Sequence, residues 1–492
     1  MRLARQLSSA LLLLGVAPSG LTPAAPLPVV ERPGILVTVA EVAADRATVW
    51  LRGDDPGSIR LRYGPTSDPD STRDIDVPLV PAQDHTGRAT LDGLTPGTRY
   101  TYEALANGEG VRGSFVTAPR PDADAPVRVL WSGDLGGHGY CRDVEDGYRI
   151  FRAMGARRPD LFLFVGDTIY ADQVCGMRPH VVGADYVAQT LAEFHGKHRY
   201  NRADPRVQEF FRTTAVFATW DDHEVRNNFV GSGDPLMPVG LRALLDYFPI
   251  EGPPEEPRRL YRSVRWGRHA EVFILDTRQY RSPNSEPDGP AKTMLGAAQR
   301  AWLQRGLATS DATWKLVVTS VPLGMFTGGR DSDSWSGANV FGYPRSAPSG
   351  FVHERDALLR FVHDRGIRNV VFVSGDVHHA ELLRHEPWPG FVVHEVVAGP
   401  LAARQGYPRF LDRSLNSRSL GSLGFATNFG ELVADGSTLH ARILDASGTV
   451  RTELKLFADG VTPSGSRYVR APAPPRADRE GGGAHGTEPQ SH

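Results

Sequence analysis

Cysteine, net charge and long apolar runs are all scarce in this sequence of 492 residues. A formal net charge of −2 leaves no global signal for binding a polyanion such as nucleic acid. Beyond the N-terminus, no run approaches the roughly 20 apolar residues needed to span a bilayer, so no transmembrane segment is predicted. What remains is an ordinary globular composition and enough residues for two or three domains with a large core.

The two cysteines, Cys141 and Cys175, each follow a predicted strand by a few residues. In an oxidising compartment they can pair and tie two loops together. The alternatives are a thiolate that binds a metal and two free thiols. The even count and the loop positions favour the disulfide, which we predict, although sequence alone does not supply its geometry.

The N-terminus has the pattern of an export signal. Arg2 and Arg5 give it a basic start, residues 10–17 form a short apolar run, and the small residues at 22–25 can hold a cleavage site. The alternative is a buried N-terminal helix. The two arginines are not adjacent, so a twin-arginine signal is not supported. We predict a signal peptide over residues 1–25 and an exported protein, periplasmic or secreted.

The rest of the chain divides into regions with different sequence patterns. Residues 35–118 carry short alternating strands with regularly spaced turns, which predicts a small β-sandwich, and G-L-T-P-G-T-R-Y-T-Y at 93–102 resembles the fibronectin type III signature. After a linker at 119–126, strands alternate with helices over 127–460, which predicts a layered α/β domain. The Pro-, Gly- and Arg-rich residues 472–492 are predicted to be a disordered tail.

Three segments of the α/β region concentrate acidic residues and histidine. They are L-F-L-F-V-G-D-T-I-Y-A-D at 161–172, W-D-D-H-E at 220–224 and V-F-V-S-G-D-V-H-H-A-E at 371–381. In the first and third, an apolar run ends in Gly-Asp, where glycine lets the backbone turn sharply. Ligand sites of α/β sheets form at the carboxyl ends of strands. Carboxylates, histidines and a tyrosine at several such ends favour a two-metal site.

Six side chains are candidate metal ligands, because each lies at or just after the end of a predicted strand. They are Asp134, Asp167, Tyr170, Asp222, Asp376 and His378. Each has an ordinary alternative, since an aspartate at a strand end often caps the next helix and the tyrosine and histidine can be core residues. Four motifs in one order make a metal site the better interpretation of the set.

The order of these motifs resembles a known superfamily. D-x-G, G-D-x-x-Y, D-H-E and G-D-x-H follow one another as in the calcineurin-like metallophosphoesterases. Over about residues 35–457 the chain resembles the PhoD-like alkaline phosphatase/phosphodiesterase family. The motifs that carry this resemblance are G-D-T-I-Y-A-D, W-D-D-H-E-V-R-N-N, L-D-T-R-Q-Y-R and S-G-D-V-H-H-A-E. The resemblance implies a four-layer α/β/β/α sandwich. It also implies hydrolysis of phosphate mono- and diesters by a metal-activated water, outside the cytoplasm.

The superfamily pattern, transferred residue by residue, implies two metal sites that share one carboxylate. The first site would be held by Asp134, Asp167, Tyr170 and His378. The second would be held by Asp167, Asp222 and Asp376, with Asp167 bridging. The predicted catalytic residues are His223, at the position that contacts the phosphate or leaving group, with Asp167 and Arg278. Asn227, Asn228 and His379 are predicted to bind the substrate. Arg278 and Arg281 either contact a phosphate or pair with carboxylates.

Two departures from the family pattern bear on the metals. Many PhoD-like proteins have a cysteine where this chain has Gly133 or Asp134, so a thiolate ligand is not assumed. The superfamily histidine before a Val/Phe-x-Pro stretch is missing from T-S-V-P at 319–322. The phenol and imidazole of the first site suit Fe(3+), and the oxygen ligands of the second favour Ca(2+), with Mn(2+), Mg(2+) or Zn(2+) as alternatives. The family's dependence on iron and calcium agrees.

Three hypotheses for the function follow. The leading one is an alkaline phosphatase/phosphodiesterase, and the second is a phospholipase D-type phosphodiesterase of the same family. The third, from another class, is a binding or adhesion protein whose enzyme domain has decayed, against which the intact ligand set speaks. The expected partner is a small-molecule phosphoester, with no sequence-specific nucleic acid, and the expected state is a monomer.

Overall fold

The computed structural model describes residues 34–176, 179–347 and 349–458. The predicted signal peptide at 1–25 and the predicted tail at 472–492 lie outside the described residues. Among the residues that are described, no helix combines the length and the apolar character needed to cross a bilayer.

The described residues form three β-sheets flanked by helices. In chain order the strands are β1 (Leu36–Ala40), β2 (Arg46–Arg52), β3 (Gly57–Pro65), β4 (Arg73–Leu79), β5 (Thr86–Asp92), β6 (Arg99–Ala106), β7 (Glu109–Val116), β8 (Val127–Ser132), β9 (Leu161–Val165), β10 (Ala215–Thr219), β11 (Arg262–Trp266), β12 (Ala270–Ile274), β13 (Trp314–Val318), β14 (Val370–Ser374), β15 (Ala380–Trp388), β16 (Phe391–Val397), β17 (Arg418–Leu423), β18 (Asn428–Asp435), β19 (Thr438–Asp445) and β20 (Val450–Phe457). The helices are α1 (Ile150–Ala156), α2 (Leu191–Arg202), α3 (Pro205–Phe211), α4 (Met237–Tyr247), α5 (Gly296–Thr309) and α6 (Val352–Asp364).

The two large sheets carry parallel strands at their centres. The nine-stranded sheet has the order β20-β19-β18-β8-β9-β10-β1-β2-β5, with β8, β9 and β10 parallel. The seven-stranded sheet has the order β11-β12-β13-β14-β16-β15-β17, with β12, β13, β14 and β16 parallel. The α/β class with several sheets is therefore confirmed, and the carboxyl ends of each parallel set share one sheet edge.

The N-terminal strands do not form a separate sheet system. Strands β4, β3, β6 and β7 make a four-stranded antiparallel sheet, as expected for one half of a small sandwich. Strand β1, however, pairs with β2 on one side and lies parallel to β10 on the other, through Ala40 and Val216. Strand β1 thereby supplies hydrogen-bond partners to the edge of β10 that would otherwise be unpaired. The nine-stranded sheet therefore contains strands from 35–118 as well as strands from the α/β region.

The central strands alternate between two cores because they are buried on both faces. In β9, Leu161, Leu163 and Val165 pack into the core that also holds residues of β13 and β14 from the other large sheet. Phe162 and Phe164 point to the opposite face and pack with α1, α3 and α4. This period of two is the expected pattern of a strand buried on both sides.

A third core lies on the outer face of the seven-stranded sheet. There α5 and α6 place Leu303 and Leu359 against Phe372 of β14. Burial of each such side chain contributes about 1.5–3 kcal/mol to folding. The packing fixes the strand ends from which the candidate site is built.

Candidate metal centre

Four aspartates meet where the parallel strands end. Asp134, Asp167 and Asp222 follow the neighbouring strands β8, β9 and β10, while Asp376 follows β14 of the other large sheet. His378 lies two residues further, just before β15. Asp134, Asp167 and Asp222 are almost fully buried, whereas Asp376 and His378 are half-buried. The structure therefore brings residues from separate motifs to one edge, as the sequence predicts.

The turns that carry these residues are strained. Asp134, Asp167, Asp376 and His378 have φ values of 63°, 51°, 68° and 59°, in the left-handed region that non-glycine residues rarely adopt. Each such residue costs on the order of 1–3 kcal/mol, and such strain concentrates at functional sites.

Two glycines permit the close approach of these turns. A Cβ at Gly133 would lie 2.9 Å from the carbonyl oxygen of Gly166, and a Cβ at Gly375 would lie 2.9 Å from a methyl of Val165. The second contact joins the two large sheets. The small residue before each aspartate is therefore needed where the turns meet.

The first group of possible ligands is Asp134, Asp167 and His378, whose ligand atoms all lie within 4.8 Å of one another. His378 Nε2 is 3.2 Å from Asp134 Oδ1. Tyr170 Oη is 3.0 Å from the same nitrogen and 3.5 Å from Asp134 Oδ1, so the phenol joins this group. Asp134 Oδ2 is buried without a hydrogen-bond partner, which fits a carboxylate whose partner is a cation.

The second group is Asp167, Asp222 and His223. Asp167 belongs to both groups and therefore has the position of a bridging ligand. Asp222 Oδ2 accepts a hydrogen bond from the backbone of Asn228 at 2.6 Å, whereas its Oδ1 is buried without a partner. The donor set fits a cation at this position as well.

Asp376 faces the same carboxylates but belongs to neither group of close ligand atoms. Its Oδ2 is buried without a partner. Burial, reinforced by the charges of Asp221 and Asp222, raises the pKa of Asp376 well above its ordinary value. Burial, together with Asp222 and Asp221, does the same to the pKa of Asp167. This concentration of negative charge is what a bound cation would relieve.

His223 stands on the second group with a fixed orientation. Its Nδ1 is 2.7 Å from Asp172 Oδ1, its backbone N–H donates to Asp167 Oδ1 at 3.1 Å, and its ring stacks on Tyr170 with centroids 4.2 Å apart. Burial acts to lower the pKa of His223, but the charges of Asp222 and Asp172 outweigh burial and raise the pKa to about 9. The imidazolium can therefore serve as a proton donor.

Two residues near the centre were missed by the sequence analysis. Asp172 orients His223 and also accepts a hydrogen bond from the backbone of Asn227 at 2.9 Å. His138 places its ring 5.2 Å from that of His378 and 6.1 Å from that of His223. Asp172 is the last residue of the quoted G-D-T-I-Y-A-D, so its motif gave a signal. His138 lies between glycines and gave none.

Arg278 does not reach the open side of the site. Its side chain is fully buried and donates two hydrogen bonds to Asp333, at 3.0 and 2.7 Å, and one to Asp221 at 2.8 Å. Arg281 Nη1 donates to Asp333 at 2.7 Å. Of the two hypotheses for these arginines, the structure shows the pairing with carboxylates, and a contact of Arg278 with a phosphate stays a prediction.

The other substrate-binding predictions have mixed outcomes. His379 is fully buried, with Nε2 3.2 Å from Glu381 and Nδ1 3.1 Å from the carbonyl of Val377, so its side chain is not exposed to a substrate in this structure. His378 has a left-handed φ and precedes β15, so the chain turns between these two histidines, and the imidazole of His379 packs inside the protein. Asn227 is exposed and Asn228 is half-buried, so both stay candidates.

The loops after β8 and β9 are joined by a disulfide between Cys141 and Cys175, whose Cα atoms are 5.8 Å apart. Neither thiol is therefore a metal ligand in this structure. Nearby, Gln173 accepts a hydrogen bond from the backbone of His138 at 2.7 Å. The bridge thus holds together the loops that carry His138 and Asp172.

Known proteins resemble this chain in sequence and in fold. The family model for PhoD-like phosphatase matches residues 136–438. Alkaline phosphatase D of Bacillus subtilis (strain 168) is 27% identical over 336 residues, which cover 61% of this chain and 54% of that protein. The chain therefore spans about half the length of this curated relative.

Two solved structures share the fold. A structure of PhoD superposes with a TM-score of 0.72 at 19% identity, covering 90% of this chain and 92% of the other. The purple acid phosphatase PPD1 from yellow lupin (Lupinus luteus) seeds gives a TM-score of 0.59 at 15% identity, covering 86% and 74%. At these identities the likeness is one of fold. Because the family model matches more than half of the chain, the chain belongs to the PhoD-like phosphatase family.

Proposed function

We propose that this protein is a metal-dependent hydrolase of phosphate mono- and diesters. The observation that carries the proposal is the pair of ligand groups that share Asp167. In these groups Asp134 and Asp222 each keep one buried oxygen without a partner. Family membership supports the reaction class. An intact and strained ligand set speaks against a decayed enzyme domain.

The residues suggest which metals the sites would take. Asp134, Asp167, Tyr170 and His378 offer a phenol, an imidazole and carboxylates, a set that suits Fe(3+). At the second site we assign His223 to proton transfer and count Asp167, Asp222 and the nearby Asp376 as ligands, and their carboxylate oxygens favour Ca(2+), with Mn(2+), Mg(2+) or Zn(2+) as alternatives. Bound metals would polarise the phosphoryl oxygens and lower the pKa of water.

The remaining chemistry falls to the side chains. His223 holds a proton near the second ligand group, and Asp172 fixes its Nδ1, so its Nε2 is free to donate to the leaving oxygen. The backbone of Asn228 orients Asp222. Asp221, the neighbour of Asp222 in the chain, pairs with Arg278, so Arg278 would act through Asp221 and not through contact with substrate.

The finer points of architecture and location belong to the same proposal. The cores on both outer faces of the large sheets support a four-layer α/β/β/α arrangement, and the strand pattern of 35–118 supports a fibronectin type III-like unit. The disulfide supports export to an oxidising periplasm or secretion. We expect a monomer.

The test is a substrate panel with metal analysis. Protein purified without chelator is assayed on a nitrophenyl phosphate monoester, a bis-nitrophenyl diester and phosphatidylcholine, beside an Asp167→Asn variant purified in the same way. We expect hydrolysis of the first two and near-complete loss in the variant. Equal rates for both proteins would point to a contaminating phosphatase and would remove the proposal.

Iron can be tested separately through Tyr170. A phenolate bound to Fe(3+) should give a visible charge-transfer band, and Tyr170→Phe should bleach it and lower the iron content. Tyr148→Phe is the matched control, because that buried phenol contacts Asn201 at 2.6 Å instead of the ligands. A colourless, iron-free and fully active protein would contradict the assignment of iron.

A further inference from the structure

Three loops beside the metal centre expose large aromatic rings. We define the aromatic rim as Phe341, Tyr343, Tyr407, Phe410 and Phe425, whose exposed fractions are 58, 49, 63, 61 and 74%. Among the described residues, the other large apolar side chains that are comparably exposed are valines. Soluble proteins rarely gather apolar side chains on an exposed surface unless that surface binds something.

The rings of the rim are held by ordered loops. Phe341 and Phe410 come from different loops, and their ring centroids are 5.8 Å apart. Tyr407 and Phe425 stack at 6.0 Å with an interplanar angle of 22°. The backbone of Arg413 donates to the carbonyl of Gly342 at 3.0 Å, which ties the two loops together. The apolar surface is therefore built into the fold and is presented to solvent.

The rim borders the metal centre directly. The backbone N–H of Gly406 donates to the carbonyl of His378 at 2.6 Å, and Nδ1 of His378 is 2.5 Å from the carbonyl oxygen of Arg404. The backbone of Phe425 donates in turn to the carbonyl of Gly406 at 2.8 Å. A surface that rests on the rings would thus lie next to a predicted metal ligand.

Positive charge accompanies the rings. The segment 403–425 exposes Arg404, Arg409, Arg413 and Arg418. Its single acidic residue, Asp412, is buried and accepts a hydrogen bond from Arg355 at 2.9 Å. The guanidinium of Arg413 lies 3.8 Å from the ring centre of Tyr343. The segment is therefore locally basic, although the net charge of the chain is −2.

We propose that the aromatic rim and its arginines dock the protein onto an anionic lipid surface. Aromatic rings are favoured at the membrane–water boundary, and arginines are attracted to anionic headgroups. The negative site would itself repel such a surface, and the arginines offset this repulsion. Docking would bring phosphoesters of the lipid surface next to the metal centre. Their hydrolysis rests on the proposed function, whereas binding to the lipid surface does not.

The arrangement of the rings favours a lipid surface over single-stranded nucleic acid. Proteins that bind single strands stack successive bases on aromatic side chains. Here four of the five rings pack in pairs on one another, and the fifth is covered by Arg413. The rings are thus packed against one another or against a guanidinium group, while each keeps about half or more of its side chain exposed as part of an apolar patch.

The test is co-sedimentation of the full chain with vesicles. We expect binding to vesicles of phosphatidylcholine mixed with phosphatidylglycerol, weaker binding to phosphatidylcholine alone, and loss of binding at high salt. A Phe410→Ser/Phe425→Ser double variant should bind at least about tenfold more weakly, because two apolar anchors are removed. Arg413→Gln should weaken binding to anionic vesicles only.

A matched control is Val80→Ser, which changes a 39% exposed apolar residue between β4 and β5 and should bind as the unchanged protein does. If the double variant fails to fold, as judged by circular dichroism, Phe425→Ser alone replaces it, since that ring is the most exposed. Equal binding by the folded variant and the unchanged protein would overturn the proposal.

Three further outcomes are decisive. Binding to a single-stranded oligonucleotide but not to vesicles would overturn the proposal in favour of nucleic acid. A concentration-dependent dimer that the double variant abolishes, without vesicle binding, would overturn it in favour of a second copy. Hydrolysis of a soluble nitrophenyl ester is measured in parallel, and its absence alongside vesicle binding would remove the proposed function and support the docking surface.

Discussion

Two clusters of charged side chains lie next to each other near the ends of the central strands, and they differ in what balances the charge of their carboxylates. We call Asp134, Asp167, Asp222 and Asp376 the strand-end cluster, and Arg278, Arg281 and Asp333 the arginine cluster. In the arginine cluster both oxygens of Asp333 accept hydrogen bonds from guanidinium groups. In the strand-end cluster no arginine within the described part of the chain pairs with the aspartates, and three of them keep a buried oxygen without a partner.

The difference appears in the protonation of the two clusters. Burial would raise the pKa of Asp333, but the charges of Arg278 and Arg281 outweigh burial and hold the pKa below its ordinary value. Burial beside Asp222 raises the pKa of Asp167 instead. Asp221 stands between the clusters, paired with Arg278 and facing Asp222, and burial raises its pKa to about 7. A carboxylate that is paired with arginines, such as Asp333, stabilises the fold. Carboxylates without such a partner, as in the strand-end cluster, are available to a cation.

Asp167→Asn should have the largest effect on the strand-end cluster. The shared carboxylate should be required by both ligand groups, so we expect both metals to be lost and turnover to be nearly abolished. Metal per protein is measured by mass spectrometry. The control is Asp76→Asn, which disturbs only an exposed pair with Arg60. Retention of both metals by Asp167→Asn would refute a bridging role.

His223 places a titratable side chain beside the strand-end cluster, with Nε2 4.0 Å from Asp222 Oδ1. His223→Ala should keep the metals and lose about 10²–10⁴-fold in rate, the usual share of an acid–base group. Asp172→Asn should lose less, because the imidazole remains. Since Asp172 helps to raise the pKa of His223, the alkaline limb of the rate profile should move to lower pH in that variant. An unchanged profile in both variants would assign the proton to another group.

Arg278→Gln tests the arginine cluster. The substitution leaves Asp221 without its arginine and removes one of the two guanidinium groups that contact Asp333, which should cost about 3–5 kcal/mol of stability. The measurement is the melting temperature of the metal-loaded protein. Arg62→Gln, which breaks an exposed pair with Asp74, should leave the melting temperature unchanged. A stable Arg278→Gln protein with a large rise in KM would restore Arg278 as a substrate contact.

A smaller effect should separate the clusters by pH. The folded pKa of Asp167 is raised, so the stability linked to it is present below the unfolded value of about 3.9 and is lost as pH rises through the folded pKa. Chelated protein should therefore melt at lower temperature as pH rises above about 4, while metal-loaded protein should not. A parallel pH dependence of both forms would mean that the carboxylates are not balanced by cations.

The sequence predicts the strand-end cluster well for a local reason. Each aspartate follows an apolar run and a small residue or a turn, so its place at a strand end is visible within one segment. The pairing of Arg278 cannot be predicted in the same way, because its partner Asp333 lies 55 residues away in a loop without a recognisable motif. His138 and Asp172 acquire their roles through neighbours in space. The pairing of β1 with β10 joins residues that are far apart in the chain, and no local pattern encodes it.

That pairing has a consequence for how the chain stays soluble. Strand β10 is entirely buried and carries Val216 and Phe217 just before the turn that bears Asp222. Without β1 it would be an unpaired apolar edge, which is a template for adding a strand from another molecule. Residues 34–118 move the sheet's free edge outward to β5, whose residues alternate between buried and exposed. By covering the edge of β10, the N-terminal strands should disfavour edge-to-edge aggregation beside the metal centre.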